Sequence, residues 1–224
     1  MPGNIIFISG FPRSGTTLLQ VSFQAFSNVW VSPGEKGLNY VFPPQERQRY
    51  AWLVVKMPCG GQSVAGWKKR GAEVVFVIRD PRDRISSAIG SGLIRTDNNN
   101  LIECPRLKRY HNILEKFDTI EKECKIIKYE DLCIKPNEVQ EDLISTYNLT
   151  AKCSFSEVHS ILTLDPRSEK TLKGADKKTP IRPIGSDSIG RWQKDNNRER
   201  IEKFVSLPAI EAFMVKFGYR KGDL

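Results

Sequence analysis

The sequence predicts an α/β fold: a central, mostly parallel sheet flanked by helices, in three layers. Three observations carry this reading. Short apolar, β-branched runs such as "IIFI", "WLVV" and "VVFVI" alternate with longer amphipathic stretches. Parallel strands are buried on both faces, so they read as unbroken apolar runs, and each pair needs a helical crossover. The first run also leads through a glycine-bearing loop, "GFPRSG", directly into an apolar-periodic stretch, "TTLLQVSFQAF". Strand, glycine loop and helix in that order form the unit of a phosphate-binding P-loop.

The elements follow in chain order. Strands are expected at 4–9, 52–57, 73–79 and "KIIKY" (125–129), each short, apolar and rich in β-branched residues. Between them, helical periodicity covers 15–27, 61–70, 82–91, 106–123 and 137–147, with Pro81 opening the third of these. Residues 165–190 are rich in Lys, Pro, Gly and Ser, with little periodicity. A loop of that length in a folded domain is expected to be functional. After it, "GRWQKDNNRERIEKFVS" and "LPAIEAFMVKFGY" read as two closing helices, the second ended by Gly218. No repeat or domain boundary is visible, so residues 1–224 are read as a single domain long enough to bury a core.

A net charge of +9 suits an anionic partner: nucleic acid, a membrane surface or a highly phosphorylated small molecule. Basic residues are spread along the chain, denser at 167–203, without a long Lys/Arg tail, which argues against nucleic acid. No apolar run approaches the roughly 20 residues of a membrane span. The N-terminus carries no secretory pattern. Five scattered cysteines form no C-x-x-C pair, so free thiols in a reducing, cytoplasmic compartment are expected. His111 and His159 are the only histidines and neither has a second ligand at metal-binding spacing, so no metal site is expected.

The loop spacing is that of G-x-x-x-x-G-K-[ST], with Gly10, Gly15 and Thr17 in place, but Thr16 stands where Lys is required. The basic residue is Arg13, inside the loop. Loop amides and the helix start favour an anion. Ser14, Thr16 and Thr17 add hydroxyl donors, and Arg13 adds fixed charge. A nucleoside-triphosphate site uses the missing Lys and a carboxylate for Mg²⁺. Here neither is evident, which points to an anion handled without a metal. A second site of similar logic is "VVFVIRDPRDRISSAI", where a strand ends at Arg79 and Ser86 and Ser87 lie about two turns into the next helix. Both would lie at the carboxyl edge of the sheet, where open α/β folds bind ligands.

Together, "FPRSGTTLL" and "VIRDPRDRISS" resemble the sulfotransferases that use 3′-phosphoadenosine 5′-phosphosulfate (PAPS) and release the desulfated nucleotide PAP. "VVKMP" (54–58), "KYEDL" (128–132), "IGRWQKD" (189–195) and "FGY" (217–219) extend the resemblance over nearly the whole chain. The Pro-Arg-Ser-Gly loop is closer to the tyrosylprotein and carbohydrate branches than to the cytosolic one. The resemblance implies that Arg13, Ser14, Gly15, Thr16 and Thr17 bind the 5′-phosphosulfate, and that Arg79 and Ser87 bind the 3′-phosphate. It also places Tyr129 near the adenosine, with a packed strand tyrosine as the other reading, and Arg182, Ser188 and Arg191 near the 3′-phosphate. Trp192 is either an adenine platform or a core residue.

The implied reaction is metal-independent, in-line sulfuryl transfer to a hydroxyl or amine. Arg13 and Lys56 meet the charge developing on the leaving phosphate, by analogy with phosphoryl transfer. The histidine base of the cytosolic branch is replaced by Met57 and Pro58, so Glu35 of "SPGEKG", or a neighbouring group, is the expected base. Segments 33–50 and 92–105 are expected to line the acceptor pocket, which leaves small-molecule, carbohydrate and peptide acceptors open. The alternatives are a P-loop kinase or other ATP- or GTP-using enzyme, and a non-catalytic nucleotide- or nucleic-acid-binding protein.

Overall fold

The computed structural model describes residues 4–58, 63–94, 101, 104–158 and 184–219. Five strands form one all-parallel sheet: β1 (Asn4–Gly10), β2 (Val29–Val31), β3 (Trp52–Lys56), β4 (Ala72–Ile78) and β5 (Lys125–Lys128), in the order β2-β3-β1-β4-β5. Helices cover both faces, as expected. Alternation along the strands sorts the core into two halves. Phe7, Leu53, Val55, Val74 and Phe76 face one side, whereas Ile6, Ile8, Val54, Val75 and Val77 face the other.

On the first side pack α3 (Val64–Lys69), α4 (Pro81–Gly90), α5 (Pro105–Leu114), α6 (Phe117–Lys122), α9 (Arg198–Val205) and α10 (Pro208–Lys216). On the second side lie α1 (Thr16–Ser22), α7 (Tyr129–Ile134) and α8 (Pro136–Tyr147). A short helix α2 (Pro44–Arg49) precedes β3. Pro81, Pro105, Pro136 and Pro208 each open a helix, where the missing N–H costs nothing and φ is already helical. Asp80 caps α4 by accepting the Arg82 amide at 2.8 Å. Gly218, at φ 75°, ends the last helix as expected.

Three local expectations are corrected. The helical pattern over 15–27 ends at Ser22 and passes through a 3-10 helix (Phe23–Ala25), which turns Phe23 and Phe26 into contact with each other and Phe26 onto Phe155. The pattern over 106–123 breaks after Leu114, letting Phe117 insert among Phe76, Phe213 and Phe217. Tyr129 does not end a strand: β5 stops at Lys128 and Tyr129 opens α7.

Strand order places the site. From β1 the chain crosses to β2 and β3 on one side of the sheet, while from β4 it continues to β5 on the other. The β1–β4 boundary is therefore the point where winding reverses, the position of ligand crevices in open parallel sheets. Gly10 is in register with Val77, so the loop after β1 and the loop after β4 leave the sheet side by side.

Candidate active site

The loop after β1 is held in a conformation that few residues adopt. Gly10, Arg13 and Gly15 all have positive φ (152°, 74° and 95°). Arg13 is not glycine, and a left-handed residue of this kind is retained where its surroundings enforce it. A Cβ on Gly10 would fall 2.6 Å from the Val77 carbonyl, and one on Gly15 would fall 2.3 Å from the Tyr129 ring. Both positions thus need glycine on conformational and steric grounds. The hydroxyl of Ser14 donates to the Phe11 carbonyl at 2.7 Å, and its amide donates to the same oxygen at 3.0 Å. Ser14 therefore ties the loop to itself, and its hydroxyl does not face the crevice as an open donor. Thr16 is buried beneath the loop.

The two motifs meet physically. Arg13 Nε donates to the Ser87 hydroxyl at 3.1 Å, joining the first loop to α4. Arg79 Nη1 donates to the Arg13 carbonyl at 3.1 Å, and its Nη2 donates to the Ser188 carbonyl at 2.7 Å. The same guanidinium lies over the Tyr129 ring, 4.3 Å from the centroid, and Tyr129 shares a short hydrogen bond with the Ser188 hydroxyl. Arg13, Arg79, Ser87, Tyr129 and Ser188 thus form one cluster, drawn from four parts of the chain. Arg79 Nε is buried with no hydrogen-bond partner, a donor left over for an anion. Arg191 is exposed, opens the 3-10 helix Arg191–Lys194, and takes no part in these contacts. Arg182 lies outside the described residues.

On the other flank, Lys56 ends β3 at 2% exposure. Its ammonium donates to the Thr17 hydroxyl at 2.9 Å and to Glu35 Oε1 at 3.3 Å. Burial pushes the Lys56 ammonium below the usual lysine value, while the Glu35 charge and hydrogen bond act the other way. The Glu35 segment is pinned at several backbone points. Ser32 donates its amide to Val54, Lys36 donates to Lys56, and Gln20 Nε2 donates to the carbonyls of Ser32 and Gly34. Glu35 is itself exposed, and the contact with Lys56 is made through Oε1.

Several supporting residues escape the sequence reading. Asp83 accepts from the Gly190 and Trp192 amides at 2.7 and 3.1 Å and so anchors the late segment beside α4. Ser86 reaches Asp195, not the crevice, which separates it from Ser87. Trp192 is a core residue, with Arg82 stacked on it at 4.5 Å. Buried Asp80 pairs with Arg82 at 2.7 Å, and Glu130 accepts from the Asp80 amide and the Tyr219 hydroxyl. Burial pushes the Glu130 carboxyl up from its ordinary value. This network fastens the end of β4 to α7 and to the C-terminal segment. The Asp directly after the strand-ending Arg79, and the Glu after Tyr129 in "KYEDL", are the sequence signals that point to it.

Cys104, Cys124, Cys133 and Cys153 are free thiols. Among the described residues, no helix is long and apolar enough to cross a membrane.

No protein-family model and no curated protein sequence matches the chain. Among solved structures it is similar to the sulfotransferase domain of the Synechococcus PCC 7002 olefin synthase, with a TM-score of 0.65 and 15% identity over 98% of this chain and 96% of that one. It is also similar to the sulfotransferase domain from the curacin biosynthetic pathway, with a TM-score of 0.55 and 15% identity over 98% and 99%. A third is mouse sulfotransferase SULT7A1, complexed with PAP, with a TM-score of 0.52 and 12% identity over 96% and 88%. The chain therefore has the sulfotransferase fold, nearly end to end.

Proposed function

We propose that this chain is a PAPS-dependent sulfotransferase, built as one domain, that transfers a sulfuryl group to an acceptor hydroxyl or amine. The observation that carries the reading is the joining of the two anion-binding motifs at the sheet's switch point, through Arg13, Ser87 and Arg79. The residues fit the donor: a strained glycine loop at a helix start for one phosphate, and a buried arginine with an unmet donor for the other. PAP in the structure of mouse SULT7A1 is consistent with this assignment.

When bound, PAPS supplies an activated sulfuryl group and departs as PAP. Arg13 and the loop hold the 5′ end, Arg79 and Ser87 hold the 3′-phosphate, and Tyr129 and Ser188 close beside the nucleoside. Lys56 hydrogen-bonds Thr17 at 2.9 Å, which places its charge against the loop, where negative charge grows on the leaving oxygen. Glu35 would take the acceptor proton while the acceptor oxygen or nitrogen bonds to sulfur and the sulfur–oxygen bond to the 5′-phosphate breaks. The 3.3 Å contact with the Lys56 ammonium orients that carboxylate before the reaction.

A thermal-shift series tests the donor class. PAP without added metal is expected to raise the melting temperature. Stabilisation by ATP with Mg²⁺ but not by PAP overturns the proposal in favour of a phosphoryl-transfer enzyme.

A further inference from the structure

Beside the loop lies a cavity of about 290 Å³, near the lower end of the roughly 300–1,000 Å³ usual for ligand pockets. Phe11 and Pro12, immediately before Arg13, form one wall with Pro58, two residues beyond Lys56. The cavity thus adjoins both flanks of the proposed transfer site. Of the segments expected to line an acceptor pocket, 92–105 contributes Leu93 and Ile94, and 33–50 contributes nothing to this cavity.

The lining is also cationic, with the Arg84 guanidinium 5.8 Å from the Phe11 ring centroid. Arg84, from α4, is 4% exposed, and its Nε and Nη1 are buried with no hydrogen-bond partner. Its guanidinium stacks on the Tyr110 ring at 3.8 Å, and the Tyr110 hydroxyl is also buried and unpartnered. Among the described residues, the titratable groups acting on Arg84 are Tyr110, Arg79 and Cys104, with no carboxylate among them. Arg106 and Arg109 line the same cavity from α5. A buried guanidinium without an anionic partner is costly, and leaving donors unmet adds to that cost. Arginine remains protonated at neutral pH, so the charge persists. Phe11 and Tyr110, packed edge to face at 4.5 Å, supply an aromatic surface next to it.

We infer that this cavity is the acceptor pocket and that it selects a small, largely apolar acceptor carrying an oxyanion, such as a carboxylate, which Arg84 and Tyr110 bind. The inference rests on the sulfotransferase reading for the word acceptor, but not for the anion preference. A carboxylate within reach of Arg84 would satisfy the unmet donors, while its ring or chain would pack against Phe11 and the prolines. The hydroxyl to be sulfated would then point past Pro12 toward Arg13 and Lys56.

The test uses three phenolic acids, para-hydroxyphenylacetate among them, and their methyl esters, titrated calorimetrically into the full chain with and without PAP. The acids are expected to bind about ten- to a hundredfold tighter than their esters. Arg84→Gln is expected to remove that preference while leaving PAP affinity unchanged. Equal affinity for acid and ester, binding by neither, or a preference that survives Arg84→Gln overturns the inference. If Arg84→Gln does not fold, Arg84→Lys decides: it keeps charge but loses the planar fork, so the preference falls severalfold, and an unchanged preference overturns the assignment. Failure of PAP to bind while acids are still preferred sinks the donor reading and leaves the anion pocket standing.

Discussion

Replacing Arg79 by Ala removes one side chain from three places at once. Its guanidinium donates to the Arg13 carbonyl at 3.1 Å and to the Ser188 carbonyl at 2.7 Å, and covers Tyr129 at 4.3 Å. A hydrogen bond from a charged donor contributes about 1.5–3 kcal/mol, and a desolvated cation–π contact about 2 kcal/mol. These terms share one side chain and the freed carbonyls can turn to water, so their sum overstates the loss. A loss of about 3 kcal/mol is expected in the nucleotide-free protein. At about 2–4 °C per kcal/mol for a chain of this size, the melting temperature falls by about 6–12 °C. PAP binding loses a phosphate partner in addition, about 1.5–3 kcal/mol, or a Kd weakened about ten- to a hundredfold. Arg79→Lys keeps the charge but cannot bridge two carbonyls while stacking flat on a ring, so it recovers part of the affinity and little of the stability. Scanning fluorimetry reads the first quantity and titration calorimetry the second. A Kd for PAP within twofold of wild type, alongside the expected drop in melting temperature, would refute the nucleotide role and reduce Arg79 to a structural clamp.

Three further outcomes are expected. Glu35→Gln should leave PAP affinity intact and slow turnover by about a hundredfold or more, measured as PAPS consumption at saturating acceptor; normal turnover removes Glu35 as the base. The pH–rate profile should lose activity on its alkaline side below the ordinary lysine range, because burial lowers the Lys56 value. The stability effect has the opposite sign: the cost of burying the cation is full below the folded-state value and is relieved as pH rises from there toward the unfolded value. Lys56→Met should abolish that alkaline limb, and a limb that persists assigns it elsewhere. Gly15→Ala forces a Cβ to 2.3 Å from Tyr129 at a φ of 95°, so PAP binding should fall more than tenfold. Adding Tyr129→Ala should relieve the collision but not the backbone strain, and wild-type affinity in Gly15→Ala would contradict the loop geometry.

Much of this arrangement is legible in the residues. The apolar runs of β1, β3 and β4 declare buried parallel strands, and Gly10 and Gly15 declare the tight glycine turn between β1 and α1, because those signals are local. The sheet order is not local. Nothing in "IIFI" or "VVFVI" says that β4 sits against β1, yet that adjacency brings Arg13 to Ser87. Tyr129 was hard to place because "KYEDL" offers no capping side chain, and α7 begins without one. The break before Phe117 is equally silent, since aromatic packing overrides a periodicity that runs on unbroken. Ser14 illustrates a different limit: residue type announces a hydroxyl donor, but only the folded turn discloses that the proton goes to Phe11.

Helix α4 carries Asp83 to the late turn, Arg84 to the cavity, Ser86 to Asp195 and Ser87 to Arg13, within five consecutive residues. On the proposed assignment, donor and acceptor sides share this one helix, so its sequence has little freedom to drift. From α5, Arg106, Arg109 and Tyr110 line the cavity, and none of the described contacts joining Arg13, Arg79, Ser87, Tyr129 and Ser188 comes from that helix. If the cavity is the acceptor pocket, new acceptor preferences, whether arising by mutation in nature or by laboratory selection, are most accessible through α5, where a change of substrate need not disturb the proposed nucleotide site.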